Sequence, residues 1–210
     1  MSKSFIIAGT DTNVGKTILS ALLMSVDDSY EYWKPIQSGL QEETDSEAVL
    51  RISECDPKRI LPEAFRLTQP LSPHLSSRLD GISIEIESLL PPKLDNMIIE
   101  TAGGVFAPFN NDLFQIDLMM MWNLPVILAA RSSLGTINHT LLTIEAFRAR
   151  DIELEGVVMI GEPNEENEKA VAHYGKTEII GRIPIISNLN KQNLQATYTE
   201  HFGDRLASIR

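Results

Sequence analysis

The sequence predicts an α/β fold with a doubly wound, mainly parallel sheet and helices on both faces. Apolar runs typical of strands alternate with helical patterns along the chain. Near-continuous apolar runs, such as residues 124–130, indicate strands that are buried on both faces. The stretch GTDTNVGKT, residues 9–17, joins an apolar run to a helical pattern and is typical of a loop that binds nucleotide phosphates. We therefore predict one P-loop nucleotide-binding domain over residues 1–210.

The individual elements follow from these patterns in chain order. The apolar run FIIA and the helical run ILSALLM flank the loop, and a capping box at residues 44–47 begins a later helix. Proline 35 disfavours helix for the residue before it, which suits the end of the second strand. The predicted strands are 4–9, 31–35, 96–100, 124–130, 155–160 and 178–182. The predicted helices are 16–26, 45–54, 84–90, 112–122, 136–150, 164–174 and 191–208.

Composition excludes several classes of protein. The net charge of −11 argues against a nucleic-acid partner and against an anionic membrane surface. A lone cysteine, Cys55, excludes an internal disulfide. We find neither a signal peptide nor an apolar stretch that approaches the roughly 18 residues of a membrane span. We therefore expect a cytoplasmic protein that binds neither nucleic acid nor membrane.

The loop at residues 9–17 contains the parts of a nucleotide phosphate site. Its backbone N–H groups can converge on an anion at the helix N-terminus, and Lys16 can reach the β- and γ-phosphates. Five residues separate Gly9 from Gly15, one more than in the usual P-loop. The alternative is a glycine-containing turn with a solvated lysine. The nucleotide contacts predicted in this loop are Asp11, Thr12, Asn13, Val14, Gly15, Lys16 and Thr17.

Charged residues follow two of the predicted strands. Lys34 ends the second strand and Glu100 ends the third, where an unpaired charge would cost free energy. The carboxyl ends of such strands form the ligand edge of the sheet. We predict that Thr17, Asp45 and Glu100 supply oxygen ligands to Mg²⁺. For Asp45 the alternative is that it only complements the helix dipole within the capping box.

Taken in order, the motifs of this chain resemble those of the dethiobiotin synthetase family of biotin biosynthesis. The match runs through about residue 186, and the five-residue spacing in the loop is the family's own variant. The motifs are GTDTNVGKT, KPIQSG at 34–39, TD at 44–45, LSPH at 71–74, ETAGG at 100–104 and LGTINH at 134–139.

The resemblance implies a reaction and a set of partners. ATP would drive carboxylation of 7,8-diaminononanoate by CO₂ or bicarbonate, through a carbamate and a carbamic-phosphoric anhydride, to dethiobiotin, ADP and phosphate. Lys16 and Lys34 would straddle the transferring phosphoryl group, and Thr12 and Ser38 would hydrogen-bond to carbamate or phosphate. The cofactors would be ATP and Mg²⁺, and the enzyme would be a homodimer.

The resemblance also implies a site for the substrate carboxylate. A helix N-terminus of the second subunit would receive it, because free N–H groups there suit anions. The alternative is an ordinary helix N-cap at Thr136 or Asn138, without a ligand. The residues that correspond to this turn are Gly135, Thr136, Ile137 and Asn138. Residues 72–74 would line the channel for the alkyl chain or would form only a turn.

The chain departs from the family at the nucleotide base. Many members have an asparagine at the end of the fifth strand, where this chain has Ile160. Either Asn164 could read the base, or apolar contact and backbone groups near Gly181, Ile183 and Pro184 could hold it. The base preference is therefore open.

Two other classes of protein compete with this interpretation. Dimeric, nucleotide-switched proteins of the partition or septum-positioning type have a second lysine near the start of the P-loop. Residues 9–13 contain no lysine. A cobyrinate-type amide-forming synthetase would need a Cys–His pair for its glutaminase half and a longer chain.

Overall fold

The computed structural model describes residues 4–203 and confirms the predicted α/β architecture. Its main sheet has six strands in the order β2-β5-β1-β6-β7-β8, and every neighbouring pair in it is parallel. Helices connect most of these strands, as parallel pairing requires. The strands of this sheet are β1 (Phe5–Gly9), β2 (Glu31–Trp33), β5 (Met97–Glu100), β6 (Val126–Arg131), β7 (Leu154–Ile160) and β8 (Ile179–Ile183).

A second, two-stranded sheet lies beside the main sheet and was not predicted. It pairs β3 (Ile36–Ser38) with β4 (Phe65–Leu67) in parallel. The predicted strand at 31–35 is therefore too long, because pairing with β5 ends at Trp33. Pro35 has no N–H to donate to a ladder, although its carbonyl accepts from the N–H of Phe65 at 3.0 Å. The chain changes sheets at this proline.

Seven α-helices are present within residues 4–203, and none of them is long and apolar enough to cross a bilayer. The predicted helix at 84–90 is only a 3-10 turn over Ile86–Leu89, because two prolines follow Leu90. The predicted helix at 112–122 begins at Gln115, and residues 204–208 of the last one lie outside the described part. The helices are α1 (Lys16–Val26), α2 (Asp45–Ser53), α3 (Pro73–Asp80), α4 (Gln115–Trp122), α5 (Thr136–Arg148), α6 (Glu165–Gly175) and α7 (Lys191–His201).

Helix α3 is not among the predicted helices, and residues 73–74, for which a turn or a channel lining is predicted, form its start. Pro73 occupies its first turn, where a missing N–H costs nothing. Gly81 ends it in the left-handed region at φ 68°. An eight-residue polar helix carries little periodicity, so its ends are its main sequence signal.

The core has two parts, one on each face of the main sheet. Alternate residues of β1 show this division: Ile6 joins one cluster and Ile7 joins the other. Helices α4 and α5 cover the first face, and α1, α2 and α7 cover the second. Both faces of the sheet are buried, as the near-continuous apolar strands predict.

The strand ends converge on one edge of the main sheet. In the register, Ile7 of β1 lies beside Glu100 of β5, and Arg131 of β6 lies beside Ile160 of β7. Ile160 in turn lies beside Ile183 of β8. The residues that follow these positions therefore share one rim, where ligands of doubly wound sheets bind.

Candidate functional site

The turn between β1 and α1 is compact and has a left-handed backbone at two positions. Asn13 has φ 57°, and Gly15 has φ 101° and is the N-cap of α1. A methyl group added to Gly9 would lie 2.9 Å from Lys16 Nζ. Gly15 provides no side-chain cap, so the first N–H groups of α1 are not taken by one. This geometry agrees with the prediction of an anion site at this helix start.

Lys16 is buried in the centre of this turn, with 6% of its surface exposed. Its ammonium group donates to the backbone oxygens of Asp11 at 3.0 Å and Gly103 at 2.8 Å. Burial, followed by the neighbouring charge of Lys34, lowers the pKa of Lys16 to about 8. The free protein therefore disfavours this charge, and an anionic ligand would favour it.

Lys34 is equally buried but has acidic partners. Its Nζ atom lies 2.7 Å from Asp45 Oδ2 and 3.0 Å from Glu100 Oε1, and it donates to the oxygen of Thr101 at 3.1 Å. Burial alone would lower its pKa, but Glu100 and Asp45 outweigh burial and raise the pKa to about 12. The buried charge of Lys34 is thus compensated by two carboxylates, and its predicted role at the reacting groups stays a prediction.

Three oxygen-bearing side chains meet beside Lys34. Thr17 Oγ1 lies 2.7 Å from Asp45 Oδ1 and 3.0 Å from Glu100 Oε1. Its single hydrogen can bond to only one of them at a time, and its lone pairs stay available. Hard oxygen donors of this kind fit Mg²⁺. Among residues 4–203, no three His, Cys, Asp or Glu side chains form a metal-binding group, so a bound ion would also need phosphate or water oxygens.

The capping box at the start of α2 is present, but Asp45 is not part of it. Thr44 is the N-cap: its Oγ1 accepts from the N–H of Glu47, and Glu47 Oε2 accepts from the N–H of Thr44 at 2.8 Å. The carboxylate of Asp45 contacts Thr17 and Lys34 instead. Burial opposes its charge, yet Lys34 prevails and lowers the pKa of Asp45. A role limited to the helix dipole is therefore wrong.

Two residues that sequence reasoning missed bind the far side of Glu100. Ser20 Oγ donates to Glu100 Oε2 at 2.8 Å, and the hydroxyl of Tyr32 donates to the same oxygen at 3.0 Å. Burial, followed by the charge of Glu100, raises the pKa of Tyr32 well above its ordinary value. The sequence carried a weak signal for both positions. Side chains two residues apart on a strand share a face, as Tyr32 and Lys34 do, and side chains one turn apart on a helix are neighbours, as Lys16 and Ser20 are.

Arg131, at the end of β6, is another residue that the sequence analysis missed. Its Nη2 lies 2.9 Å from Asp11 Oδ2, and Asp11 Oδ1 accepts from the N–H of Thr12 at 2.7 Å. The start of the loop thus has a positive group near it, although residues 9–13 contain no lysine. The signal available was a charged residue ending a buried strand.

A groove of about 440 Å³ runs from the loop toward α5. Thr12 lies on its polar side, and Phe106 and Leu142 line its apolar side with exposures of 48% and 61%. Ser38, at the end of β3, has a buried Oγ without a hydrogen-bond partner among the described residues. These positions suit the substrate contacts predicted for Thr12 and Ser38, which stay predictions.

The turn before α5 does not form an ordinary side-chain cap. Gly135 is the N-cap, at φ 93° and without a side-chain hydrogen bond. Thr136 is buried, and its Oγ1 pairs with that of Thr140 at 3.3 Å. The alternative of a Thr136 or Asn138 cap is therefore wrong. The contact of residues 135–138 with a substrate carboxylate stays a prediction.

The end of β7 is apolar and packs against the phosphate loop. A methyl group added to Gly15 would lie 2.8 Å from Ile160 Cγ2. Asn164, the alternative to the family's asparagine as a reader of the base, is the N-cap of α6. Its side chain accepts from the N–H of Asn167 at 3.0 Å. Its side-chain oxygen is thus committed to the helix.

The predicted base contacts on β8 occupy different environments. Gly181 lies inside the strand, and a methyl group there would clash with the ring of Phe202. Ile183 ends the strand and Pro184 follows it, at the same rim as the loop. Ile183 and Pro184 are therefore better placed for a ligand than Gly181.

Comparison by sequence matches this chain to known proteins over nearly its whole length. The AAA domain family matches residues 3–193. A protein of Brucella ovis named ATP-dependent dethiobiotin synthetase BioD is 48% identical over 203 residues, which are 96% of this chain and 95% of that protein. A protein of Brucella abortus (strain S19) with the same name is 47% identical with the same coverage.

Comparison by structure gives more distant neighbours. A plasmid partition protein of Borrelia burgdorferi bound to AMPPNP has a TM-score of 0.57 and 14% identity, and covers 100% of this chain and 98% of its own. The septum site-determining protein MinD of Pyrococcus horikoshii with Mg-ADP has a TM-score of 0.54 and 10% identity, with the same coverage. At such identities the likeness shows the fold alone, and it confirms the P-loop α/β class.

Proposed function

The chain belongs to the family of ATP-dependent dethiobiotin synthetases, which are ligases, and on that premise we propose that it makes dethiobiotin from 7,8-diaminononanoate, CO₂ and ATP. The observation that carries the proposal is the cluster at the rim of the sheet. There, two buried lysines, Lys16 and Lys34, lie beside Thr17, Asp45 and Glu100. Two cations and three oxygen donors fit a triphosphate and its metal ion.

The proposed reaction has three steps. One substrate amine adds to the carbon of CO₂ and loses a proton, which gives a carbamate. A carbamate oxygen then attacks the γ-phosphorus of ATP, ADP leaves, and a carbamic-phosphoric anhydride results. The second amine attacks the carbonyl carbon and loses its proton to solvent, and phosphate leaves as the ureido ring closes. The protein supplies no covalent nucleophile, so its tasks are positioning and charge neutralisation.

The two lysines neutralise different negative groups of the reactants. Lys16, held by two loop carbonyls, binds the β- and γ-phosphates of ATP. Lys34 binds the carbamate and the transferring phosphoryl group from the other side. Thr12 and Ser38 donate hydrogen bonds to the same groups, and the unpartnered buried oxygen of Ser38 supports this role.

Thr17, Asp45 and Glu100 would hold the Mg²⁺ ion. When bound, the ion supplies neutralising charge to the phosphate oxygens. Asp45 is the most accessible of the charged groups, with a side chain 33% exposed, whereas Lys34 and Glu100 are nearly inaccessible. An ion entering the site would thus meet Asp45 first.

We expect Asp45→Asn and Glu100→Gln to raise the Mg²⁺ concentration needed for half-maximal activity by about tenfold or more, because each removes a charged oxygen ligand. The matched control is Thr44→Ala, which removes only the cap of α2 and should cost about 1 kcal/mol of stability with an unchanged Mg²⁺ requirement. Titrating Mg²⁺ alongside thermal melts separates the two effects. An Asp45→Asn variant that behaves like Thr44→Ala would refute the metal role of Asp45.

We further propose that the enzyme is a homodimer and that each groove is completed by the turn at residues 135–138 of a second subunit. The side chain of Leu134, next to this turn, is fully exposed, and Phe106 and Leu142 are exposed at the groove. Apolar side chains at these positions suit an alkyl chain and a subunit contact. The helix N-terminus at Gly135 suits the substrate carboxylate.

We expect weak selectivity for the nucleotide base, at most about tenfold between ATP, GTP and CTP, on the order of one net hydrogen bond. Ile160 is apolar, and the side-chain oxygen of Asn164 caps α6, so neither rejects a wrong base by being left unpaired. The test is kcat/KM for each nucleotide at saturating diamine and bicarbonate. A hundredfold preference for ATP would mean that another group reads the adenine edge.

The proposed function is tested by product formation. Purified protein with ATP and Mg²⁺ should hydrolyse little nucleotide until diamine and bicarbonate are both added. It should then form dethiobiotin and ADP in equal amounts, as measured by mass spectrometry and a coupled ADP assay. Steady hydrolysis without the diamine, and no dethiobiotin, would instead favour a nucleotide-switched protein of the partition type.

A further inference from the structure

Four donor groups lie within hydrogen-bond distance of Glu100, although only 1% of its surface is exposed. Its Oε1 faces the site, where Lys34 donates to it and the hydroxyl of Thr17, shared with Asp45, lies 3.0 Å away. Its Oε2 faces the core and accepts from Ser20 and Tyr32. The carboxylate is therefore held from two sides, and the core side belongs to residues that contact neither phosphate nor substrate in the proposed reaction.

The core-side donors come from two separate elements. Tyr32 lies on β2, which pairs directly with β5, the strand that Glu100 ends. Its ring is completely buried. Ser20 lies on α1, one turn beyond Lys16, and its hydroxyl is also within 3.0 Å of the Lys16 oxygen. The strand and the helix together thus fix the plane of one carboxylate.

We infer that Tyr32 and Ser20 are positioning residues for the metal–nucleotide site, because they hold Glu100 with Oε1 directed at Thr17. The terminal torsion of a glutamate is broad, so an unsupported carboxylate would rotate. Rotation would turn Oε1 away from Thr17 and from the ammonium of Lys34, which both contact it in the present orientation. Outer partners of this kind commonly tune metal affinity. The inference rests on the proposed Mg²⁺–ATP site.

The test is the variant Tyr32→Phe, which keeps the buried ring and removes only the hydroxyl. ADP affinity is measured by calorimetry with and without Mg²⁺. We expect the metal-free affinity to stay within about twofold of wild type, and the gain in affinity on adding Mg²⁺ to fall about tenfold. If Tyr32 only packs in the core, the variant should have lower thermal stability and the same gain in ADP affinity on adding Mg²⁺ as wild type.

Tyr30→Phe is the matched control. Tyr30 is on the same segment and packs edge-on against the ring of Phe5, with centroids 5.3 Å apart. Burial, followed by the charge of Asp27, raises the pKa of the Tyr30 phenol to about 12, and Glu100 has no part in this shift. The Mg²⁺-linked gain in ADP affinity should be that of wild type in this variant.

Ser20→Ala provides a second, independent variant. It should reduce the Mg²⁺-linked gain in the same direction, and the double variant should lose less than the product of the two single losses, because both act on one carboxylate. If Tyr32→Phe does not fold, the Mg²⁺-linked gain in ADP affinity of Ser20→Ala tests the inference on its own. A folded Tyr32→Phe or Ser20→Ala with the wild-type gain overturns the inference for that residue.

The experiment also separates this inference from the proposed function. Its readout is ADP binding, which needs neither diamine nor product. A wild-type protein that binds ADP more tightly with Mg²⁺ but makes no dethiobiotin would refute the proposed function, and the variants would still decide the positioning roles. A wild-type ADP affinity that does not respond to Mg²⁺ would overturn the positioning inference, and product formation would still decide the proposed function.

Discussion

Lys34→Ala is expected to lower kcat for dethiobiotin formation by about 10²–10³-fold, because it removes a charge directed at the developing phosphoryl transition state. The change should also lower stability, since Asp45 and Glu100 would lose their shared cation. Leaving a buried charge unpaired costs about 3–5 kcal/mol, so the variant should also melt earlier.

Activity and stability must therefore be measured separately for Lys34→Ala. Thermal melts give the temperature range in which the variant is folded, and kinetics are then taken well below it. The control is Lys169→Ala, since Lys169 lies on the surface of α6 and pairs only with its helix neighbours Glu165 and Glu166 among the described residues. Near-normal turnover by folded Lys34→Ala would remove Lys34 from the mechanism.

Lys16→Ala is expected to lower kcat/KM for ATP by about 10²–10³-fold, because Lys16 is the cation of the phosphate loop. Its effect on stability should differ from that of Lys34→Ala. The pKa of Lys16 is lowered to about 8, mainly by burial, so the free protein disfavours this charge. The ammonium leaves only two backbone carbonyls behind, and no carboxylate.

The stability difference is best measured with Lys16→Met, which keeps the aliphatic stem and avoids a cavity. In the absence of nucleotide it should melt at or above the temperature of wild type. ADP should raise the melting temperature of wild type and do so much less for the variant. A Lys16→Met protein that melts far below wild type without nucleotide would contradict the unfavourable burial of this charge.

The elements that the sequence predicted correctly are those with strong local signals. The phosphate loop is contiguous, and its glycines, lysine and flanking apolar runs are visible in one window. Strands β3 and β4 have three residues each and pair with each other across the chain, so neither shows a periodicity of its own. The prediction of an α-helix at 84–90 was wrong, because the apolar pattern there resembles that of a helix and only the prolines after it limit the segment to a 3-10 turn over Ile86–Leu89.

The sequence by itself determined the fold class, the family and the chemical groups at the strand ends, because each depends on residues close together in the chain. Only the tertiary structure decided which groups meet. The register of β2 with β5 brings Lys34 and Tyr32 to Glu100, which is 66 and 68 positions away in the chain. The start of α2 then brings Asp45 to the same lysine. Side-chain period and propensity carry no information about contacts between such separate elements.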